Sequence, residues 1–469
     1  MDSAGLIAKV KIEGTLRLDS PLLIGDGYGS EGHTNEADIH VLKNKEGRPF
    51  IPATSLAGVI RSRFSENHPK AVAGLLFGEI GRKDGSDIQS AVSFYDVVLE
   101  NTSVIVRDGV AIDDDTGTGK KGAKYDYEAV ERGAYGRFHA GLTIRRFHEE
   151  KFPDWREWVK ELTDLLASGF SVGALTAKGF GKVSSGDVKA YVYDFSRPAD
   201  VSSWLLGRPS EEVYEGNPDG SAPKDRLAVD GDFAVLHSLI VRDRDTDDRK
   251  TESGAAIHAV QMKSGESYVV PGTTMKGVLR HGSRKILDIF GVDHDFLDEL
   301  MGSAAEGKKR KSRFLVDEVY FREGVVPALQ SRNRIDRFTG GTMDSALFTE
   351  EPVWQKEAGK PVLHIHYEIV RPSKEEAGLA LFLLKDLWTG HLVVGGEKSI
   401  GRGLLSGVSS VISYEGKRYC IEGKGKVTEG NAEELEACAK ALAACGKEAH
   451  EPSTLLTLNT TPRPVTTHT

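Results

Sequence analysis

The sequence is poor in cysteine and has no long apolar segment. Three cysteines occur in 469 residues, and neither a CxxC pair nor a Cys/His spacing typical of zinc sites is present. This pattern argues against a disulfide framework, so we expect reduced thiols in a cytoplasmic protein. No apolar run approaches the roughly 20 residues that cross a bilayer, and the N-terminus lacks the layout of a secretory signal. We therefore expect no membrane partner.

Positive charge is also in deficit. The 61 Lys and Arg residues are outnumbered by 70 Asp and Glu residues, which gives a formal charge of −9. Such a charge weighs against a simple nucleic-acid binder. Basic residues nevertheless cluster at 308–313 and at 332–337. An acidic outer surface with a basic groove would reconcile the two observations, although each cluster is equally consistent with a solvated loop.

The chain contains an internal duplication, which is the strongest signal in the sequence. The segments IPATSLAGVIR (51–61) and VPGTTMKGVLR (270–280) align position by position. An Ile-Asp pair followed by Thr-Gly occurs at 112–117 and again at 335–340, and a Gly-x-Gly turn occurs at 179–181 and again at 401–403. The three pairs follow one another in the same order, and the separation along the chain is nearly the same for each. They therefore predict two homologous modules.

Both copies show the same order of local patterns. Each copy begins with a strand and then a helix start at Pro-x-Thr. Further strands and a hairpin insertion follow, and the copy ends with an amphipathic helix, a glycine-rich turn and a last strand. This order predicts an α+β fold, with two tandem ferredoxin-like (RRM-like) modules that each carry an inserted β-hairpin. The amphipathic helices are indicated by Trp155, Trp158, Val159, Leu162, Leu165 and Leu166 in copy 1, and by Leu379, Phe382, Leu383 and Leu387 in copy 2.

Composition sets the expected boundaries. We expect the first module over 1–195 and the second over 231–420. Residues 196–230 are rich in Pro, Gly, Ser and Asp, and predict a linker. Residues 421–469 are expected to contain a short alanine-rich helix and a disordered Thr/Pro-rich tail.

These segments resemble the RAMP superfamily, the backbone subunits of type III CRISPR effector complexes. The resemblance spans both modules and is carried by the helix start, the Ile-Asp hairpin, the late helix and the glycine-rich turn. The fused pair most resembles the double backbone subunit of type III-D systems. It implies binding of crRNA and target RNA, with other CRISPR effector subunits as partners. It also implies a "thumb" hairpin in each copy, at about 104–145 and 325–370, that wedges into the guide–target duplex while base pairing reads the sequence.

Several residues of the shared motifs are candidates for RNA contact. A helix N-terminus followed by a basic residue suits a phosphate, and glycine-rich turns let an RNA backbone approach amide groups. At each helix start, we expect a Thr or Ser side chain to cap the first free N–H groups. The predicted RNA-binding set is Thr54, Ser55, Arg61, Gly179, Gly181, Lys182, Thr273, Thr274, Lys276, Arg280, Gly401, Arg402 and Gly403.

The resemblance implies a cleaving aspartate in the loop before the strand that leads to Pro52. Asp38 occupies this place, fourteen residues before Pro52. Its carboxylate is predicted to position a ribose 2′-hydroxyl or to hold Mg²⁺ or another divalent cation, with His33 and His40 as nearby acid or base. Asp26 is the reserve candidate; the alternative for it is a turn residue.

The second copy departs from this pattern. Fourteen residues before Pro271 stands Ile257, so the carboxylate is missing there. Asp247 and Asp248, in the acidic loop that precedes it, are candidates for a second catalytic site. Asp113 and Asp336 recur in both hairpins, and we expect them to build turns by bonding to nearby backbone groups.

Three functions compete for this chain. The first is metal-dependent endoribonucleolytic cleavage of target RNA from the first module. The second is a non-catalytic crRNA-binding scaffold, and the third is histidine-based processing of the guide precursor. The sequence favours the first over the second only through Asp38.

Overall fold

The computed structural model describes residues 5–27, 37–80, 87–113, 118–220, 225–244, 250–251, 256–303, 307, 309–344 and 346–446. The chain divides into two compact units. One is formed by 1–109, 124–176 and 180–223, the other by 110–123, 177–179 and 224–469. Both mix helices with antiparallel sheets. Within the described ranges, none of the helices is both long and apolar enough to cross a membrane.

The first half of the chain contains these elements in order. The strands are β1 (Leu6–Leu18), β2 (Phe50–Ile51), β3 (Val92–Phe94), β4 (Val97–Val98), β5 (Val104–Ile112), β6 (Gly119–Val130), β7 (Tyr135–Arg145), β8 (Phe170–Ser171), β9 (Lys182–Asp194) and β10 (Glu212–Glu215). The helices are α1 (Ala53–Asn67), α2 (Lys70–Phe77), α3 (Arg146–Lys151), α4 (Trp155–Ala167) and α5 (Pro198–Leu205).

The second half follows the same scheme with additional strands. Its strands are β11 (Arg226–Val235), β12 (Ser238–Leu239), β13 (Ala259–Val260), β14 (Lys263–Ser264), β15 (Ser267–Val270), β16 (Phe314–Val316), β17 (Val319–Tyr320), β18 (Val325–Pro327), β19 (Gln330–Arg332), β20 (Phe348–Glu351), β21 (Val353–Gln355), β22 (Leu363–Val370), β23 (Leu405–Tyr414), β24 (Lys417–Glu422) and β25 (Lys426–Glu429). The helices are α6 (Gly272–Phe290), α7 (Asp295–Met301), α8 (Lys374–Trp388) and α9 (Ala432–Ala444).

The two main sheets share a four-strand arrangement. The order is β3-β7-β1-β9 in the first half and β16-β22-β11-β23 in the second. Every neighbouring pair in both is antiparallel. Even the register shift recurs, after Glu13 in the β1–β9 pair and after Asp232 in the β11–β23 pair. The duplication predicted from the sequence is thus present as the same strand order and the same irregularity.

Each core forms where the predicted amphipathic helices pack on the sheet. All six predicted residues of α4 and all four of α8 are buried, which confirms both helical stripes. Burying one such large side chain contributes about 1.5–3 kcal/mol. Helix α8 begins with a capping box. The Ser373 side chain accepts a hydrogen bond from the Glu376 amide, and the Glu376 carboxylate accepts one from the Ser373 amide.

The segment predicted as a linker, 196–230, carries secondary structure. Pro198 begins α5, a position where its missing N–H costs nothing. Strand β10 then extends the first sheet by pairing with β9. Arg156 of α4 fastens it, with Nε 2.8 Å from Glu212 Oε1 and Nη2 2.9 Å from Asp194 Oδ2. The linker was predicted from Pro and Ser content, but these residues are also common at helix starts.

The C-terminal region also extends the second half. Strands β24 and β25 add to the sheet beside β23. Helix α9 packs closely on α8, where a Cβ on Gly378 would lie 2.3 Å from the carbonyl oxygen of Cys438. The predicted disordered tail, 452–469, lies outside the described residues.

Candidate nucleic-acid interface

Asp38 lies in the segment that runs beside β6. Its backbone amide donates to the Asp126 carbonyl oxygen at 2.9 Å, and its Oδ2 accepts from the Asp126 amide at 2.9 Å. Ile39 continues the contact with a parallel bridge to Tyr127. Asp38 is exposed, and its other carboxylate oxygen has no hydrogen-bond partner among the described residues. One oxygen therefore anchors the segment, and the other is available to a ligand.

His40 is not an open acid or base in this structure. It is 6% exposed, and its Nδ1 lies 3.4 Å from Glu128 Oε1. The second oxygen of Glu128 accepts from the Val41 amide at 3.0 Å. Burial and pairing with a carboxylate thus argue against the catalytic role predicted for His40.

Asp26 lies on the segment antiparallel to that of Asp38, which is joined to it by the Gly25–Val41 bridge. The half-buried Asp26 donates its backbone amide to the His40 carbonyl oxygen at 3.1 Å. The second half repeats this bond, because Asp243 donates to the Val260 carbonyl oxygen at 3.0 Å. The remaining candidates, His33, Asp247 and Asp248, lie outside the described residues.

His258 holds the position in the second half that Asp38 holds in the first. Its backbone amide donates to the Thr349 carbonyl oxygen at 2.7 Å, and its Nδ1 accepts from the Thr349 amide at 3.1 Å. This is the same reciprocal pair that Asp38 makes with Asp126. Both side chains are exposed.

The alignment of Asp38 with Ile257 is therefore wrong by one residue. Ile257 is only 9% exposed and belongs to the buried side of the segment. The error arises in the next hairpin, which is one residue shorter in the second half. Lys263 pairs with Tyr268 there, whereas Lys43 bridges to Pro49 in the first half.

A divalent cation is compatible with the Asp38 site but is not enclosed by it. No group of three or more His, Cys, Asp or Glu residues suited to a metal occurs in the described part of the chain. Mg²⁺ is commonly held by one or two carboxylates, with water and phosphate oxygens completing its shell. The open oxygen of Asp38 supplies one such ligand, so the donor set fits an ion shared with RNA.

The helix starts differ from the prediction in their caps. Pro52 and Pro271 are the N-cap residues of α1 and α6, and neither helix has a side-chain cap hydrogen bond. The capping role predicted for Thr54, Ser55, Thr273 and Thr274 is wrong, because these residues already lie inside the first turn.

A carboxylate takes the first amide of each helix instead. The Ala53 amide donates to Asp96 Oδ1 at 2.8 Å, and the Gly272 amide donates to Glu318 Oε1 at 3.4 Å. Asp96 and Glu318 stand at corresponding places in the two copies, each between two short strands. Negative charge at this end stabilises the helix dipole and would repel a phosphate. The predicted phosphate site at the helix N-terminus is correspondingly less favourable.

The two arginines of the shared helix motif differ in their surroundings. Arg61 is exposed, and its guanidinium has no partner among the described residues. Arg280 is half-buried, donates to the Gly302 carbonyl oxygen at 3.0 Å and pairs with Asp298 at 2.5 Å. Arg61 is thus available to RNA, whereas Arg280 ties α6 to α7.

Lys276 is also part of the fold. It is 6% exposed, and its Nζ donates to Ser312 Oγ at 2.7 Å and to the Phe314 carbonyl oxygen at 2.9 Å. Burial lowers the pKa of Lys276 to about 7. This placement argues against the predicted RNA contact of Lys276.

The inner glycines of the two turns serve close chain packing. Gly181 and Gly403 have φ values of +68° and +75°, which favour glycine. A Cβ would lie 1.9 Å from the Val172 carbonyl oxygen in the first turn and 1.8 Å from the Val394 carbonyl oxygen in the second. Their amides donate at 2.7 Å to carbonyl oxygens of neighbouring segments. These two amides are therefore not open to phosphate, contrary to the prediction.

The outer glycines of these turns differ, because a Cβ added to Gly179 would lie 2.5 Å from the Glu318 backbone nitrogen. Gly179 and Gly401 have left-handed φ values of +84° and +85°. A Cβ added to Gly401 would meet no atom within 4 Å. Lys182, at the start of β9, is half-buried and donates its backbone amide to Ser20 Oγ at 2.9 Å. RNA contact by these residues stays a prediction.

Arg402 lies in a buried charge network. It is 2% exposed, with Nε 2.8 Å from Glu397 Oε2 and Nη2 3.4 Å from Glu350 Oε2. Arg332 also pairs with both glutamates, and lies 2.6 Å from Glu397 Oε1. Burial raises the pKa of Glu350 and lowers that of Arg402. Because its guanidinium is enclosed and paired, this arrangement argues against the predicted contact of Arg402 with RNA.

At the equivalent position in the first half, aromatic and aliphatic side chains stand where the second half has this charge network. Phe180 and Tyr127 are buried and meet edge to face at 5.8 Å between ring centroids. Leu175 packs beside them. Arg107 covers Phe180, with its guanidinium carbon 5.3 Å from the ring centroid. Tyr127, Leu175 and Phe180 form an apolar trio that joins the glycine-rich turn of the first half to the base of its hairpin. In the second half, the ion pairs among Glu350, Glu397 and Arg402 make the same connection.

The hairpin segments end in turns that present basic and apolar side chains. Asp336 Oδ1 accepts from the Phe338 and Thr339 amides, both at 2.8 Å, which confirms its turn-building role. Phe338 is 99% exposed. Arg334 and Arg337 are exposed too, with no partner for their guanidinium groups among the described residues. In the first hairpin, Asp113 donates its backbone amide to the Thr118 carbonyl oxygen at 2.8 Å.

Sequence reasoning missed several of these residues. Asp96 and Glu318 recur at the offset of the repeat, so the internal alignment carried a signal for them. His258 was missed because the alignment slipped by one residue. The Glu350–Arg402 network carried no such signal, since its members come from distant segments without a shared motif.

Two α+β modules with one strand order, one bulge position and one glycine-rich turn define a duplicated fold. The RAMP superfamily model matches residues 15–184 and 232–406, about three quarters of the chain. The chain therefore belongs to the RAMP superfamily. Comparison with curated proteins found no match. Family membership supports a CRISPR-associated RNA-binding subunit, with crRNA and effector-complex subunits as its partners.

Proposed function

We propose that this chain is a crRNA-binding backbone subunit of a type III CRISPR effector complex and that its first module cleaves target RNA through Asp38. Its fused architecture most resembles the double subunit of type III-D systems. The observation that carries the catalytic part is the split role of the Asp38 carboxylate. One oxygen fixes the side chain to Asp126, and the other is open at the surface.

The binding part rests on exposed basic and apolar side chains in both hairpins. Lys120 and Lys121 of the first hairpin are exposed and have no side-chain partner among the described residues. Arg334, Arg337 and Phe338 occupy the second hairpin. Cations on a protruding hairpin attract the RNA backbone, and an exposed aromatic ring can stack on a base. These hairpins are the proposed thumbs.

In the proposed reaction, the 2′-oxygen of the target RNA attacks the adjacent phosphorus, and the 5′-oxygen of the next nucleotide leaves with a proton. The products are a 2′,3′-cyclic phosphate and a 5′-hydroxyl. Asp38 would orient the 2′-hydroxyl through its open oxygen or hold the divalent cation. A cation there would stabilise the negative charge that develops on the phosphate.

The second candidate function is a scaffold that grips crRNA without cutting. It is favoured by the structural bond between Asp38 and Asp126 and by the lack of a three-ligand metal cluster in the described residues. Guide processing by histidine has less support, because His40 is buried and paired with Glu128.

Cleavage of complementary labelled RNA by the assembled complex tests the proposal. The variants are Asp38→Ala and Asp38→Asn, each assayed with magnesium and with chelator. Asparagine retains an oxygen that can accept from the Asp126 amide but lacks the charge. We expect both variants to lose the same product band while retaining RNA binding.

The asparagine variant separates chemistry from folding. If Asp38→Ala loses the band and Asp38→Asn keeps it, the carboxylate acts only as a structural anchor. If both variants keep every band, the chain is a scaffold or cuts from another residue. Asp26→Ala is the parallel test of the reserve candidate.

A further inference from the structure

Asp38 in the first module and His258 in the second module occupy equivalent positions but offer different groups to a ligand. Both side chains use one atom to accept a backbone N–H from the neighbouring strand, Oδ2 from Asp126 and Nδ1 from Thr349. Both are exposed at the surface. The difference lies in the atom that is left over for a ligand.

The remaining atom of Asp38 is an acceptor, whereas that of His258 is a donor. A nitrogen that accepts an N–H bond carries no proton, so the proton of a neutral imidazole lies on Nε2. An N–H group cannot ligate a cation or accept a proton from a 2′-hydroxyl. It can donate to a phosphate or ribose oxygen.

The ring of His258 is held in this orientation from two sides. The Thr349 amide, which donates to Nδ1, belongs to a residue that is 2% exposed on strand β20. Phe348 lies against the imidazole with 5.6 Å between ring centroids. A ring fixed in this way presents Nε2 outward at little further cost in side-chain entropy.

We propose that the second module does not cut RNA from the place equivalent to Asp38, and that His258 there donates a hydrogen bond from Nε2 to a backbone oxygen of the target RNA. This inference rests on the proposed function of Asp38 at the equivalent place. It follows that this place cuts RNA in only one of the two modules. His258 is a binding residue on this view.

Cleavage and dissociation of labelled target RNA, measured on the assembled complex, test the inference with His258→Ala and His258→Asn. Asparagine can still accept the Thr349 amide through Oδ1, but its amide nitrogen lies nearer the main chain than Nε2. We expect both variants to retain every product band and to release target RNA about three- to tenfold faster, as for the loss of one hydrogen bond.

Three results would overturn the inference. Loss of a product band in both variants would show that His258 cuts. Unchanged dissociation in both would show that it does not touch RNA. Faster dissociation in His258→Ala alone would assign it a structural role through Thr349. Asp38→Ala, run in parallel, judges the proposed cleavage separately, because its outcome does not depend on His258.

Discussion

Glu350→Ala should destabilise the second module strongly. Glu350 is 1% exposed and accepts hydrogen bonds from Arg402, Arg332 and Arg242. Without it, the enclosed Arg402 keeps one carboxylate partner, Glu397. Removing one partner of a buried ion pair costs about 3–5 kcal/mol. That is a large share of the roughly 5–15 kcal/mol that stabilises a domain.

Urea unfolding of the full chain, followed by circular dichroism, measures the overall loss. Since a chain with two units need not unfold in one step, hydrogen–deuterium exchange must localise the effect. We expect faster exchange at 330–350 and 397–403, with the first half unchanged. Glu323→Ala is the matched control, because Glu323 is exposed and unpaired among the described residues, and its loss should cost less than about 0.5 kcal/mol.

A triple variant tests the same reasoning from the other side. Glu350→Tyr, Glu397→Leu and Arg402→Phe together copy the apolar trio of the first half. Replacing a buried ion network by packed apolar groups is often neutral or stabilising, so we expect a free energy of unfolding within about 1 kcal/mol of wild type. If Glu350→Ala costs under about 1 kcal/mol and leaves exchange unchanged, the network does not hold the hairpin base.

Three further predictions concern substitutions at other positions. Hydrogen bonding to two aspartates raises the pKa of His364. The contribution of His364 to the free energy of unfolding is therefore complete below about pH 6.5, and it disappears as the pH rises through the pKa of the folded state. His364→Gln should remove this dependence from urea midpoints measured at several pH values, and an unchanged dependence would contradict it. Arg61→Ala should weaken RNA binding without changing stability, whereas Arg280→Ala should lower the unfolding midpoint; equal effects on stability would refute the distinction. Gly403→Ala should yield unfolded or insoluble protein, because its Cβ would lie 1.8 Å from a carbonyl oxygen, and a wild-type melting temperature would disprove this.

The features that the sequence predicted correctly are those with strong local signals. The stripe on α4 and the stripe on α8 follow helical periodicity, which burial enforces. The duplication was visible because glycine and proline have few substitutes at positions such as Gly181 and Gly403, where a Cβ would meet backbone.

The features that it missed depend on tertiary contacts. Counting residues from a proline selected Ile257 instead of His258, because the hairpin length differs between the copies while the flanking pattern does not. Basic residues such as Lys276 and Arg402 resembled RNA ligands. The groups that bind Lys276, and the Glu350 partner of Arg402, come from segments that are distant in sequence. Charge alone cannot distinguish an enclosed ion pair from an open basic groove.

We propose that both modules bind one guide RNA. Ultraviolet crosslinking of crRNA in the assembled complex, with mass-spectrometric mapping of the linked peptides, tests it most directly. We predict crosslinked peptides from both hairpin segments, at 104–130 and 325–355, attached to separate guide positions. Crosslinks from only one module, or from neither, would contradict a duplicated RNA-binding backbone.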